Sequence, residues 1–146
     1  MLIKIADQFE IVGKPIGLRM SVIVGGMDMV AQGKELARSP HIVIATPGRL
    51  FDHLNSCHTF SLRSIKYLVM DEADRLLEGK GNFDEQVSRI SITSPNSDRL
   101  TFFLLQLRRI FKELPKSKQT LLFSATVTDT LKKLQDVALN NVSRFS

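Results

Sequence analysis

Apolar positions along the chain switch between a helical and an extended period, and the switches divide it into alternating elements. Leu2, Ile5, Phe9 and Val12 recur at helical spacing, with Gly13 and Pro15 as stop signals, which predicts a helix over residues 2–13. The β-branched run "RMSVIV" (19–24) predicts a strand, "MDMVAQGKELAR" (27–38) a helix, and "HIVIA" (41–45) a short strand that meets Thr46-Pro47-Gly48. "GRLFDHLN" (48–55) can form a short helix. "KYLVM" (66–70) and "TLLF" (120–123) are continuous apolar runs of strand length, the second ending at Ser124. Before that last strand, Leu104, Leu107, Phe111 and Leu114 mark one helix face, with Arg108, Arg109 and Lys112 on its solvent side and Lys116 and Lys118 beyond. A final helix is expected from Thr130 to Leu139, where Leu131, Leu134 and Ala138 share a face and Thr128 or Asp129 can cap it. One stretch breaks the rhythm: "GKGNFDEQVSRISITSPNSDRL" (79–100) is polar, carries Gly79, Gly81 and Pro95, and reads as an inserted loop.

Strands that alternate with helices, and that are apolar at successive positions, predict a parallel sheet covered on both faces, an α/β layered fold. Ligands of such sheets bind beyond the carboxyl ends of the strands. Here those ends carry Gly25-Gly26, Thr46-Pro47-Gly48, Asp71-Glu72 and Ser124-Ala125-Thr126, so four site elements are expected to converge on one edge.

Composition adds little beyond confirming that a core can form: 43% of residues are hydrophobic and 24% charged. No stretch reaches the roughly 18 consecutive apolar residues of a membrane span. The N-terminal "MLIKIADQFE" lacks the pattern of a signal peptide, so an intracellular protein without a membrane partner is expected. The lone Cys57 cannot form an internal disulfide, and with His58 it makes no zinc-type spacing. Cys57, His58, His41 and His53 are expected to be ordinary surface or loop residues. The net charge of +5 tilts the chain toward polyanions, although solvated lysines explain such a value equally well. The basic residues from 108 to 118 read first as a solvated helix face.

The stretch "YLVMDEADRLLE" (67–78) ends an apolar strand in three carboxylates, Asp71, Glu72 and Asp74. A strand fixes such acids rigidly at the sheet edge. Magnesium prefers oxygen ligands and keeps several waters, so one carboxylate, Asp71, suffices to hold it through water against nucleotide phosphates. Glu72, next along the chain, could polarise a water for in-line attack on the terminal phosphate. Acids are also favoured in the first turn of a helix by its dipole, which would account for this cluster but not for the other three strand-end motifs.

Through Asp71-Glu72-Ala73-Asp74 the chain resembles the first RecA-like domain of DEAD-box ATP-dependent RNA helicases. "DEAD" looks like the family's motif II, "SAT" (Ser124–Thr126) like motif III, "TPGR" (Thr46–Arg49) like motif Ib, and Gly25-Gly26 like its glycine doublet. Their order and spacing fit, and the resemblance covers nearly the whole chain apart from 79–100. It implies a RecA-like (P-loop NTPase) parallel sheet with helices on both faces, and ATP with Mg²⁺ as cofactors. Asp71 would engage Mg²⁺ through water, Glu72 would activate the attacking water, and Asp74 would bond to Ser124 and Thr126 to couple ATP to RNA. Gly25 and Gly26 would let RNA phosphates approach the backbone, and Thr46, Pro47, Gly48 and Arg49 would grip the sugar-phosphate chain. A turn or a helix cap would also use these glycines and hydroxyls. Such contacts carry no base information, so the implied RNA binding is sequence-independent and salt-sensitive.

The sequence contains no G-x-x-x-x-G-K-[ST], the loop whose amides and lysine cradle phosphates, nor the family's "PTREL" segment or its second RecA-like domain. The expectation is therefore a partial domain over 1–146, its sheet incomplete because the P-loop strand is missing, which folds poorly alone and shows no ATPase activity. Three readings remain: a fragment of an RNA helicase, a non-catalytic module that binds RNA or protein, or an unrelated α/β domain without a P-loop whose acids only cap a helix. "VGGMDMVAQGKEL", "LVMDEADRLLE" and "QTLLFSATVTDT" are most similar to nucleolar helicases of small-subunit ribosomal RNA processing. That similarity implies ribosome-assembly partners and a nuclear, nucleolar location.

Overall fold

A computed structural model describes residues 2–56, 60–72 and 99–124, of which 99–102 and 104 by their backbone alone. The chain divides into two compact units, Met1–Ser61 and Leu62–Ser146.

The first unit runs α1 (Leu2–Gly13), a 3-10 turn (Lys14–Ile16), β1 (Met20–Ile23), α2 (Met29–Ala37), β2 (Ile42–Ala45) and α3 (Pro47–Ser56). β1 and β2 pair in parallel, with Met20 opposite Ile42 and Ile23 opposite Ala45, joined through α2 as a strand–helix–strand unit requires. Glycine ends α1. Gly17, with φ +66°, closes the turn by donating its amide to the Lys14 carbonyl, and the Leu18 amide reaches back to the Gly13 carbonyl at 3.0 Å. Asp28 caps α2, its Oδ1 accepting from the Val30 amide at 2.8 Å. The core is built from Ala6, Ile23, Leu36 and Ile44, and it also buries Ser21, Gln32 and His53. The buried side of α1 differs from the expected one: Ala6 and Gly13 lie inside, whereas Val12 is 73% exposed. Leu18 folds over Gly13 and occupies the place that a side chain there would take.

The second unit holds β3 (Tyr67–Met70), α4 (Arg99–Glu113) and β4 (Gln119–Leu122). β3 and β4 are again parallel, Tyr67 opposite Gln119 and Met70 opposite Leu122. Leu107 and Phe111 of α4 and Leu114 just after it are buried, as their spacing predicts, Ile110 joins them, and Leu62 and Met70 are also buried. Arg108, Arg109 and Lys112 stay exposed, and Arg109 pairs with Glu113 one turn on at 2.6 Å.

The α/β class with parallel strands is as the sequence predicts, with three differences. Among the described residues the strands form two pairs, β1–β2 and β3–β4. Their apolar side chains are not all covered: Tyr67 and Val69 of β3 are 65% and 55% exposed, Leu121 of β4 is 38% exposed and Phe123 just after it 55%, so the two strands alternate between an inner and an outer side. The segment expected to be a loop ends early, because Arg99 and Leu100 already belong to α4. Residues 79–98 and the helix expected at 130–139 lie outside the described residues. No helix among the described residues is long and apolar enough to cross a membrane.

Candidate functional site

In the first unit the chain beyond β1 meets the chain beyond β2, because the Thr46 amide donates to the Ile23 carbonyl at 3.0 Å. Thr46 then opens α3. Its carbonyl accepts from the Leu50 amide at 3.0 Å, which sets Thr46 at the N-cap and Pro47 at the first helical position, where a missing N–H costs nothing. Gly48 and Arg49 follow in the first turn, whose amides have no partner within the helix and suit an anion.

Gly25 and Gly26 lie exposed in the loop between β1 and α2. Gly26 has φ +80°, so the turn itself demands glycine there. Gly25 has no such constraint: its φ is not left-handed, and a Cβ built on it meets nothing within 4 Å. A turn therefore explains one glycine of the pair and not the other.

Arg49 ties the two elements together. Its Nε donates to the Val24 carbonyl at 3.2 Å and its Nη2 to the Met27 carbonyl at 3.1 Å, so the guanidinium spans the loop that carries both glycines. The sequence suggests a guanidinium turned toward phosphate, and the structure gives two of its donors to the loop's own backbone.

Two residues to which the sequence reading gives no role at the site complete it. Gln32 of α2 is 4% exposed and its Nε2 donates to the same Val24 carbonyl at 2.8 Å. His53 of α3, expected at the surface or in a loop, is instead 1% exposed, its Nε2 lying 3.2 Å from Gln32 Oε1 and its ring edge-on to Phe60. Burial lowers the imidazole's pKa; the Arg49 charge lowers it further, and Asp52 acts in the opposite sense. The available signal was a polar residue on an inner helix face, Gln32 one turn before the buried Leu36. By contrast His41 is exposed, as expected, and accepts from the Arg19 amide through Nδ1 at 3.0 Å. Cys57 and His58 lie outside the described residues.

In the second unit the Phe123 amide donates to the Met70 carbonyl at 2.8 Å, so the polar residues after β3 and β4 share one end of that strand pair. Asp71 is exposed there and its Oδ1 accepts from the Glu72 amide at 2.9 Å. Glu72 adopts φ +50°, a left-handed conformation that costs a non-glycine residue roughly 1–2 kcal/mol. The paired register ends at Met70 opposite Leu122, so Asp71 and Glu72 follow one strand and Phe123 and Ser124 the other at the same end of the pair. Asp74, Ala125 and Thr126 lie outside the described residues. In the first unit two candidate elements thus meet, Gly25-Gly26 with Thr46–Arg49, and in the second Asp71-Glu72 and Ser124 follow neighbouring strand ends.

The family model described as DEAD/DEAH box helicase matches residues 1–134. The chain is 53% identical over 137 residues to "Probable ATP-dependent RNA helicase DDX49" of Homo sapiens, covering 94% of this chain and 24% of that protein. To "ATP-dependent rRNA helicase RRP3" of Coccidioides immitis (strain RS) it is 47% identical over 143 residues, 98% of this chain and 26% of the other. It therefore spans about a quarter of the length of these relatives. Among solved structures, a DEAD box protein from the hyperthermophile Methanococcus jannaschii superposes with a TM-score of 0.69 at 28% identity, covering 99% of this chain and 32% of that one.

Proposed function

The chain belongs to the DEAD/DEAH box helicase family, and from that membership we propose that it is part of the first RecA-like domain of an ATP-dependent RNA helicase. Its first unit would hold the RNA backbone and its second would serve ATP hydrolysis. The observation that carries this reading is the shared strand edge of the first unit, where the Gly25-Gly26 loop and the first turn of α3 lie side by side under the Arg49 guanidinium. Backbone amides of Gly25, Gly26 and Gly48, with the Thr46 hydroxyl, would bond to phosphate and sugar oxygens, while Pro47 and Arg49 hold the two segments in place. Gly25 supports this, since the fold itself does not require glycine there and a close ligand would.

In the second unit Asp71 fits a hydrated Mg²⁺. It is an exposed strand-end carboxylate with one acceptor site engaged by the Glu72 amide, of roughly four that a carboxylate has. A Mg²⁺ ion there would keep several of its waters and be held against phosphate oxygens, a task for which one carboxylate suffices. Bound with ATP, Mg²⁺ would offset charge on the phosphate oxygens. Glu72 would accept a hydrogen bond from the attacking water and orient it, and Asp74 would link this site to Ser124 and Thr126. The relative whose name specifies an rRNA helicase supports ribosomal RNA as substrate, and with it ribosome-assembly partners and a nucleolar site of action.

Anisotropy of a labelled single-stranded RNA, titrated with the 146-residue chain at several salt concentrations, tests the reading. Affinity should fall as salt rises, be indifferent to RNA sequence, and drop clearly in Arg49→Ala. Salt-independent binding, or an Arg49→Ala chain that binds like the parent, refutes it. A second reading, a module that binds RNA or protein without hydrolysis, draws on the lack of any G-x-x-x-x-G-K-[ST] sequence in these residues. On either reading the chain by itself hydrolyses no ATP, and RNA-stimulated turnover from it would contradict both.

A further inference from the structure

The Val24 carbonyl, immediately before Gly25, accepts from Gln32 Nε2 on α2 and from Arg49 Nε on α3. A carbonyl can only accept, so the Gln32 amide must turn its NH₂ toward Val24, and its Oε1 then faces His53. An amide oxygen also can only accept. His53 Nε2 must therefore carry a proton, and the chain of donors runs in one direction, from His53 to Gln32 to Val24. Gln32 and His53 are both almost wholly buried, so neither can replace a lost partner with bulk water.

We propose that His53 and Gln32 are positioning residues for RNA binding: a buried relay that orients the Gly25-Gly26 loop through the Val24 carbonyl. The relay rests on the reading of that loop as an RNA contact, but its geometry is testable without RNA. His53 touches no ligand and acts through Gln32. From α2 the ring meets Gln32 and, near its Cε1 and Nδ1, Gly33, neither of them charged. Phe60 presents only a ring edge, and the charges acting on His53 are Arg49 and Asp52, both on α3. Protonation would place a second cation beside Arg49 and strengthen the donor facing Gln32 Oε1, so the loop should sense the charge on His53.

The test uses the ¹⁵N-labelled 146-residue chain. Imidazole nitrogen spectra should show neutral His53 as the Nε2–H tautomer, and the Gly25 and Gly26 amide shifts should titrate with the His53 midpoint, below pH 6.5. His53→Gln, which returns an N–H to the same place, should abolish that midpoint yet keep affinity for a labelled oligouridylate within about twofold. His53→Phe removes the donor and should weaken binding about three- to tenfold, the equivalent of one hydrogen bond. Gln32→Glu, which sets a carboxylate beside the ring, should raise the His53 midpoint and displace both glycine amides even if His53→Phe fails to fold. An Nδ1–H tautomer, glycine shifts that ignore His53, or a folded His53→Phe chain with unchanged RNA affinity each overturn the relay. A parent chain that binds no RNA overturns the proposed RNA contact and the relay's effect on affinity with it, while the spectra separately decide whether the relay exists.

Discussion

Arg49 can serve RNA binding in two ways, and replacing it by alanine and by lysine separates them. Its Nε and Nη2 bonds to the Val24 and Met27 carbonyls come from a charged donor, for which about 1.5–3 kcal/mol each is typical when buried. The Met27 bond is exposed and the Val24 bond only part-buried, so about 2 kcal/mol for the two together is the reasonable scale. If that energy orders the glycine loop, Arg49→Ala weakens RNA binding by up to about thirtyfold, at roughly 1.4 kcal/mol per factor of ten. Lysine keeps the charge but cannot span two carbonyls with one ammonium, so Arg49→Lys should lose about fivefold or more. Both variants should keep the parent's dependence of log affinity on log salt, because no phosphate contact is removed. A direct phosphate contact predicts the reverse: near-parent affinity for lysine, and for alanine a salt slope smaller by about 0.7. Anisotropy titrations across a range of salt concentrations measure both quantities, and the second pattern would refute the loop-clamp reasoning.

Gly25→Ala should leave stability within about 1 kcal/mol of the parent yet weaken RNA binding, whereas Gly26→Ala, at φ +80°, should cost about 1–2 kcal/mol of stability; urea denaturation beside RNA titration distinguishes them. Gly13→Ala sets a Cβ 2.7 Å from Leu18 Cβ, an atom that no rotamer change can move, and should destabilise by about 1–3 kcal/mol despite alanine's better helix propensity. Ser39 sits at φ +53° just after α2, so Ser39→Gly should raise the urea midpoint, with a gain of about 1 kcal/mol. Because the pKa of His53 is lowered on folding, the unfolded chain binds more protons below its ordinary value of 6.5. Stability contributed by neutral His53 is thus fully present above that pH and is lost as pH falls through the lowered value, a loss that His53→Gln should remove from denaturation curves.

The elements were legible because each carries a local signature. All four described strands fall within about two residues of their apolar runs, and α3 begins at Pro47 because Thr46 and proline together make a good helix start. Which side of an element is covered was less legible. Val12 has the spacing of a core residue in α1, yet Leu18 returns after the Gly17 turn and closes over Gly13 instead, a contact set by the turn and not by α1 itself. Tyr67, Val69 and Phe123 are as apolar as their buried neighbours, and only packing distinguishes the two sides of β3 and β4.

The site divides along the same line. Gly25, Thr46, Asp71 and Ser124 stand out in the sequence because strand ends in a parallel sheet are where ligands bind, so polar residues there invite a chemical reading. Gln32 and His53 stand in mid-helix, and their role depends on which faces of α2 and α3 meet. In sequence each is a polar residue with an ordinary solvated alternative. In the fold they fill an interior position where every buried polar atom needs a partner, and the only geometry satisfying Val24, Gln32 and His53 together is a one-directional chain of donors. A motif's neighbours can therefore matter as much as its own residues: a substitution at position 53 touches none of the strand-end motifs, yet it should alter the carbonyl that precedes Gly25.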